Sequence, residues 1–411
     1  MVEGRSVVNL PTPYFRPVKQ KPIYRRRRIT NSTLTSIMLF CSIASFPLYL
    51  FPSGLPQISH VFFACFLLLF VNKLRRSTRE MPNATKSIFR PLLCFAGFIA
   101  AIQLLYSVTL GEPELMLHAV FVAFNILYCL SIYHYFRVYP KFGMSVVLLA
   151  TISAAVILFA SLVLGLSAGD YRKTGSFNNP NQLGYFSLLI ILMASLFRSC
   201  GKLLNTRLYS TFLVFVGVYG AVSSLSKAAL ISSAFGVLVF ARRMAKGEII
   251  MLVVALLCLS PLLGEKVFQS NAVHRVRDRV GSIGYQSDDT LGGRGYKRIV
   301  EFSLDSPVSL LFGSGEGAYW RFSDGYSGGV NEIHSTPASI VFCYGVVGLA
   351  AFALFNYRCW AVAPRRYLES FVAIYFYGLT HNGLRFGFFW LLFALYIYLS
   401  ENRKADEQGA V

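Results

Sequence analysis

The stretch GMSVVLLATISAAVILFASLVLGLS, residues 143–167, runs for 25 positions without a charged side chain. As a helix it covers the hydrocarbon core of a bilayer, roughly 30 Å at about 1.5 Å per residue. Comparable blocks recur at 34–51, 56–72, 91–109, 115–135, 183–198, 208–223, 228–241, 249–264, 337–357, 367–380 and 386–400. In hydrocarbon every backbone polar group must be satisfied within the protein, and a helix does this for itself. The predicted fold is therefore all-α, a polytopic membrane protein of about twelve transmembrane helices. A composition of 55% hydrophobic and 14% charged residues excludes an ordinary soluble domain.

Basic clusters fall at every second junction: Arg25 to Arg28; Lys73, Arg75, Arg76 and Arg79; Arg137 and Lys141; Lys202 and Arg207; Arg242 and Arg243; Arg365 and Arg366. Cations collect on the cytoplasmic side, which places both termini there. Segment 1–33, rich in Pro, Arg and Lys, reads as a disordered cytoplasmic tail without a signal peptide, and 401–411 as a second short tail. The net charge of +20 lies largely beside lipid headgroups, so membrane lipids, not nucleic acid, are the expected partner. The eight cysteines lie in spans or beside cytoplasmic ends, where they serve as small apolar packing residues without a disulfide framework.

Between spans 34–264 and spans 337–400 lies one large extracytoplasmic loop, 265–336, and it holds eight Lys and Arg on the side where cations are unexpected. Arg275, Arg277, Arg279, Arg294, Lys297, Arg298 and Arg321 populate it, and His334 closes it. So many outward cations imply an anionic ligand; a guanidinium grips pyrophosphate oxygens bidentately, and the glycines flanking Arg294 allow close approach. A solvated basic face accounts equally for Arg275 and Arg277. His334, immediately before span 337–357, suits a base that accepts a proton from a sugar hydroxyl, with Glu332 placed to orient it; a structural interfacial histidine is the alternative.

Two further outward segments add polar groups. GDYRKTGSFNNPNQLG, 169–184, breaks the helix at its exit and offers Arg172, Lys173, Asn179, Asn181 and Gln182 near a new helix N-terminus, where backbone N–H groups favour phosphate. An Asn-capped hairpin would look the same. Lys227, in SSLSKAAL, lies at the outer interface, where it either faces a polar cavity or snorkels to headgroups. His381, Asn382 and Arg385 form a second outward cluster. LFGSGEGA, 311–318, lacks the preceding strand and the Lys-Ser/Thr ending of a nucleotide loop, and reads as a tight turn packing the loop against the membrane helices. No metal-ligand spacing is present, and none of the carboxylates and histidines suggests a metal site.

Taken in order, GSFNNPNQLG (175–184), SLSKAAL (224–230), GGRGYKRI (292–299), LFGSGEGA (311–318) and EIHSTPASIVFCYGVVGL (332–349) resemble the O-antigen ligase and O-antigen polymerase superfamily of bacterial membrane glycosyltransferases. The likeness covers the C-terminal part of the chain; the first spans match only in hydrophobicity. It implies inverting, metal-independent transfer of a glycan from undecaprenyl pyrophosphate, with no cofactor, at the outer face of the cytoplasmic (inner) membrane. On this resemblance Lys227 and Arg294 bind pyrophosphate and His334 is the base, while Arg172, Asn179, Asn181, Gln182, Lys297, Arg298 and Arg321 contact substrate. Lys227 stands where the family motif has arginine, and Ser335 where asparagine usually follows the histidine.

The expected activity is polymerisation of lipid-linked oligosaccharide repeats into exopolysaccharide, capsule or O-antigen. The expected partners are the undecaprenyl-pyrophosphate-linked glycan donor, a glycan or lipid A core acceptor, and other polysaccharide assembly proteins. Transfer to lipid A core by a ligase uses the same donor chemistry. Tyr171, Tyr296, Trp320 and Tyr326 offer faces for sugar stacking, although interfacial aromatic belts place the same residue types there. A transporter or lipid-linked sugar flippase would place ionisable groups at the bilayer midplane and show internal repeats; the spans here are nearly free of charge.

Overall fold

The computed structural model describes residues 31–51, 56–165, 172–199, 206–250, 254, 306–317, 333, 335–362 and 365–409. Its elements are α1 (Asn31–Ala44), α2 (Ile58–Arg79), α3 (Asn83–Leu110), α4 (Met116–Val138), α5 (Pro140–Val163) and α6 (Pro180–Ser199). They continue with α7 (Thr206–Ser224), α8 (Lys227–Ala241), α9 (Pro307–Phe312), α10 (Thr336–Val362), α11 (Arg365–Gly378) and α12 (Gly387–Gly409). Six helices are long and apolar enough to cross a membrane. Among the described residues there is no strand, so the all-α membrane class holds at this level. Most of the ninth expected span, 249–264, and most of the loop 265–336 lie outside the described residues.

Helix ends depart from the hydropathy blocks in a consistent direction. α2 runs on to Arg79, α3 starts at Asn83 and α12 continues to Gly409, because charged residues at an interface end an apolar run without ending a helix. The opposite error occurs in the first block, where α1 stops at Ala44 although 45–51 is still apolar. Pro47 lacks an N–H and disfavours helix in the residue before it. The irregular strand of chain that follows is held by Gln57, whose Oε1 accepts from Leu50 N (3.0 Å) and Phe51 N (3.1 Å) while its Nε2 donates to Phe51 O (2.9 Å).

Successive long helices alternate in direction, and their ends sort into two layers. One is basic: Arg137 donates to Ser77 O (3.2 Å) and Glu80 O (3.1 Å), Thr85 Oγ1 donates to Glu401 Oε2 (3.3 Å), and Arg198 Nε donates to Arg243 O (3.0 Å). α1 begins and α12 ends in this layer, as Tyr135 Oη to Ser36 Oγ (2.7 Å) and the Tyr133–Glu401 contact require. In the opposite layer, Arg172, Lys173, Lys227 and Arg385 are the only Lys or Arg among the described residues.

The core centres on α6, whose side chains from Leu183 to Phe197 are almost wholly buried. Close approach to α7 depends on Gly217, where a Cβ would come within 2.6 Å of Ile191 Cγ1 and 2.8 Å of Ser187 O. Beneath the less basic layer lies an aromatic floor: Phe186 packs edge-on to Phe388 at 4.7 Å, and Phe46 lies 4.8 Å from Phe388 and 4.9 Å from Phe386. Pairs of this kind add about 0.5–1.5 kcal/mol each beyond burial. That floor gives the polar groups above it a rigid base.

Candidate functional site

In the less basic layer, α6 opens with Asn179 as its cap: Asn179 Oδ1 accepts from Gln182 N (2.9 Å), and Pro180 occupies the first helical position, where a missing N–H costs nothing. Gln182 Oε1 accepts from Asn178 N (3.2 Å), so both candidate amides secure the helix start. Asn181 has a different role. Its Oδ1 accepts from Arg172 Nη2 (2.9 Å) and its backbone carbonyl accepts from Tyr377 Oη (2.9 Å).

Arg172 also donates through Nε to Ser224 O (3.1 Å), and Lys173 N donates to Ser223 O (3.1 Å), which binds this loop to the C-terminal end of α7. The turn from α7 to α8 is tight. Leu225 has φ 48°, a left-handed conformation that costs a non-glycine residue of order 1–2 kcal/mol. Lys227 follows, half-buried, as the first residue of α8. Gly184 lets α6 meet this turn so closely that a Cβ would stand 2.6 Å from Ala229 Cβ and 2.8 Å from Ser224 Oγ. Thus Arg172, Asn181 and Lys227 occupy one junction, where the N-termini of α6 and α8 converge. Both helix dipoles present their positive ends there, and lysine at a helix N-terminus is on the electrostatically unfavourable end. An anion is the ligand such a junction stabilises.

The cluster His381, Asn382 and Arg385 joins this junction to the start of α10. Tyr377 stacks on Tyr185 at 4.4 Å and on His381 at 4.7 Å. Thr336 Oγ1 donates to His381 O (2.9 Å) and accepts from Gly383 N (3.1 Å), while Asn382 Nδ2 donates to Ser339 Oγ (3.2 Å). Trp390 Nε1 donates to Leu384 O (2.7 Å), pinning the turn from below. Thr336 lies two residues after His334, and Ser335, itself buried, caps the helix through Oγ to Ala338 N (3.4 Å).

A second centre forms around Glu316. Its carboxylate Oε1 accepts from Arg385 Nε (3.0 Å) and Nη2, and Oε2 accepts from Tyr344 Oη (2.5 Å). His118 Nδ1 lies 4.0 Å from Oε1 and 3.2 Å from Arg385 Nη2. The Glu316 backbone is paired as well: its carbonyl accepts from Gln103 Nε2 (3.1 Å) and its N–H donates to Gln103 Oε1 (3.2 Å). Burial pushes the Glu316 carboxyl up, but the charges of Arg385 and His118 and the Tyr344 hydroxyl outweigh it and hold the group below the ordinary carboxylate range.

The glycine-rich turn holding Glu316 packs against the membrane helices, as its composition suggests. α10 is broken at Gly345, with φ 64° and ψ −171°, and the carbonyls freed above the break accept from the turn: Ser314 N to Phe342 O (2.8 Å) and Gly315 N to Cys343 O (2.9 Å). Gly313, Gly315 and Gly317 have φ of 86°, 73° and 91°, open to glycine and strained for other residues. A Cβ at Gly313 would collide with the Cys343 carbonyl, and one at Gly345 with that of Leu311, so each glycine admits the other's backbone.

Of the residues proposed from sequence, Lys227, Arg172, Asn179, Asn181 and Gln182 are described, and the structure gathers them around α6 and α8. His334, Arg294, Lys297, Arg298 and Arg321 lie outside the described residues, as do the arginines at 275, 277 and 279 and the aromatic candidates Tyr171, Tyr296, Trp320 and Tyr326. Glu316, His118, Tyr344 and Gln103 were not singled out. The available signal was an acid set among the glycines of a tight turn. Among the described residues no group of His, Cys, Asp or Glu could hold a metal ion. No protein-family profile matches the chain, and no curated protein matches it.

Proposed function

We propose that the chain is a membrane glycosyltransferase that polymerises undecaprenyl-pyrophosphate-linked oligosaccharide repeats, with its active site on the less basic, extracytoplasmic face of a bacterial inner membrane. The observation that carries this reading is the junction of α6 and α8. Arg172 and Lys227 meet there at two helix N-termini, in the layer where cations are fewest. The ordered resemblance of five sequence segments to the O-antigen ligase and polymerase superfamily supplies the chemistry.

A lipid pyrophosphate is already an activated leaving group, so no nucleotide or metal is required. Lys227 and Arg294, together with Arg172, stabilise the charge growing on the departing phosphate. His334 takes the proton from the acceptor hydroxyl as its oxygen attacks the anomeric carbon, and direct displacement inverts that centre. Lysine in place of arginine at 227 gives a point charge instead of a bidentate grip. Asn181 sets the direction of Arg172, and Thr336 fixes the helix that His334 precedes.

Mass spectrometry of lipid-linked glycans in cells carrying His334→Ala tests the proposal. Single repeats accumulating on undecaprenyl pyrophosphate are the expected result. Long chains accumulating there instead identify a ligase acting on lipid A core. An unchanged profile removes His334 from the mechanism and favours a transporter.

A further inference from the structure

Glu316 is a buried carboxylate that the transfer chemistry does not use, and its partners belong to four separate parts of the chain. Gln103 comes from α3, His118 from α4, Tyr344 from α10, and Arg385 from the turn between α11 and α12. An ion pair removed from water seldom stabilises a protein more than well-packed apolar side chains of the same volume would. Stability alone therefore gives little reason for an acid here. What a carboxylate adds is direction: one oxygen is taken by Arg385 and the other by Tyr344, which fixes the guanidinium relative to α10.

The direction matters because of what Arg385 is attached to. Four residues before it, the backbone of His381 accepts from Thr336, and two residues before it Gly383 N donates to the same hydroxyl. Thr336 starts α10, directly after His334 and Ser335. Glu316 in turn begins the stretch of chain that leads to His334. We propose that Glu316 is a positioning residue of the transferase: through Arg385 it holds the 381–385 turn against Thr336 and fixes the start of α10, two residues after His334 in the chain. This rests on the transferase reading. On this proposal Glu316 acts on where the base stands, not on how tightly pyrophosphate binds. Displacing a reacting group by about 1 Å costs on the order of 100-fold in rate.

The test uses the full-length protein in lipid nanodiscs, with undecaprenyl pyrophosphate as the binding probe, alongside the lipid-linked glycan pool of cells expressing each variant. Glu316→Gln is expected to lower glycan turnover at least about tenfold and to leave undecaprenyl pyrophosphate affinity within about twofold, a loss confined to the chemical step. Arg385→Lys keeps the charge but not the two-pronged geometry, so it should give the same split. The double variant should be no worse than either single one, as for residues acting as one unit. Wild-type turnover in Glu316→Gln overturns the positioning role alone. Affinity and turnover falling together with the melting temperature overturn it in favour of a structural role, and if Glu316→Gln does not fold, Arg385→Lys decides between the two. A wild-type protein that neither binds undecaprenyl pyrophosphate nor alters the glycan pool overturns the transferase reading, and the positioning role with it.

Discussion

Two arginines in the same layer are held in contrasting ways. Arg172 donates to Ser224 O and Asn181 Oδ1, both neutral acceptors, whereas Arg385 donates to the buried carboxylate of Glu316. Neutral acceptors orient a guanidinium without cancelling its charge, and a carboxylate does both. The Glu316 centre thus carries its own anion, whereas on the proposed function the α6–α8 junction, at two helix N-termini, receives one from outside. On the proposed function, the first arrangement serves recognition and the second serves rigidity.

The contrast is sharpest in stability. Glu316→Ala should cost about 3–5 kcal/mol, because it removes the carboxylate that balances the partly buried Arg385 charge. Arg172→Ala, losing hydrogen bonds to neutral groups, should cost about 1–2 kcal/mol. Thermal unfolding of the purified variants in detergent measures both, and equal losses would abolish the distinction. The same carboxylate gives an acid dependence. With its folded pKa below that of an unfolded glutamate, about 4.3, its stabilisation is complete above that pH and is lost as pH falls through the folded value. A melting curve of Glu316→Gln should accordingly be flatter with acid than that of the wild type, whereas Arg172→Ala should follow the wild type.

Smaller substitutions separate the parts of the Glu316 centre. Gly345→Ala should cost about 2–3 kcal/mol, since its φ of 64° is strained for alanine and the Leu311 carbonyl stands in the way of a methyl group. Tyr344→Phe removes one hydrogen bond to a charged acceptor and should cost about 1.5–3 kcal/mol, read from the same unfolding curves. Least of all, Asn179→Ala removes the cap of α6 for about 1 kcal/mol, and it should loosen the recognition junction without touching the Glu316 centre. A loss of undecaprenyl pyrophosphate affinity in Asn179→Ala with unchanged acid dependence would confirm that the two regions act separately.

Much of the architecture could be read from the chain because hydrocarbon demands long apolar helices and lipid headgroups draw cations to one side. Asn179, Pro180 and Gln182 announced the start of α6 through local capping rules, and Arg172 and Lys227 stood out as cations on the sparse side. The break in α10 could not be read this way, since Phe342 to Gly348 is as apolar as any span and Gly345 is one glycine among several. Nor could the Glu316 centre, whose contacts join residues 69 and 267 positions apart. Hydropathy reports which segments enter the membrane; it carries no signal for pairings set by tertiary approach. Pro47 marks the reverse case, where an apolar run concealed a helix end that local stereochemistry had fixed.

The break at Gly345 also bears on how the protein is built. Thr336 to Tyr344 makes a helix of only about 13 Å at 1.5 Å per residue, too short to cross a bilayer unaided. The carbonyls of Phe342 and Cys343 accept from Ser314 and Gly315 N–H, and that turn in turn leans on Gln103 and Tyr106 of α3. The broken helix α10 is therefore completed from outside itself. The groups that complete it, the 313–316 turn and α3, both precede it in the chain, so a break late in the sequence is closed by parts that are synthesised first.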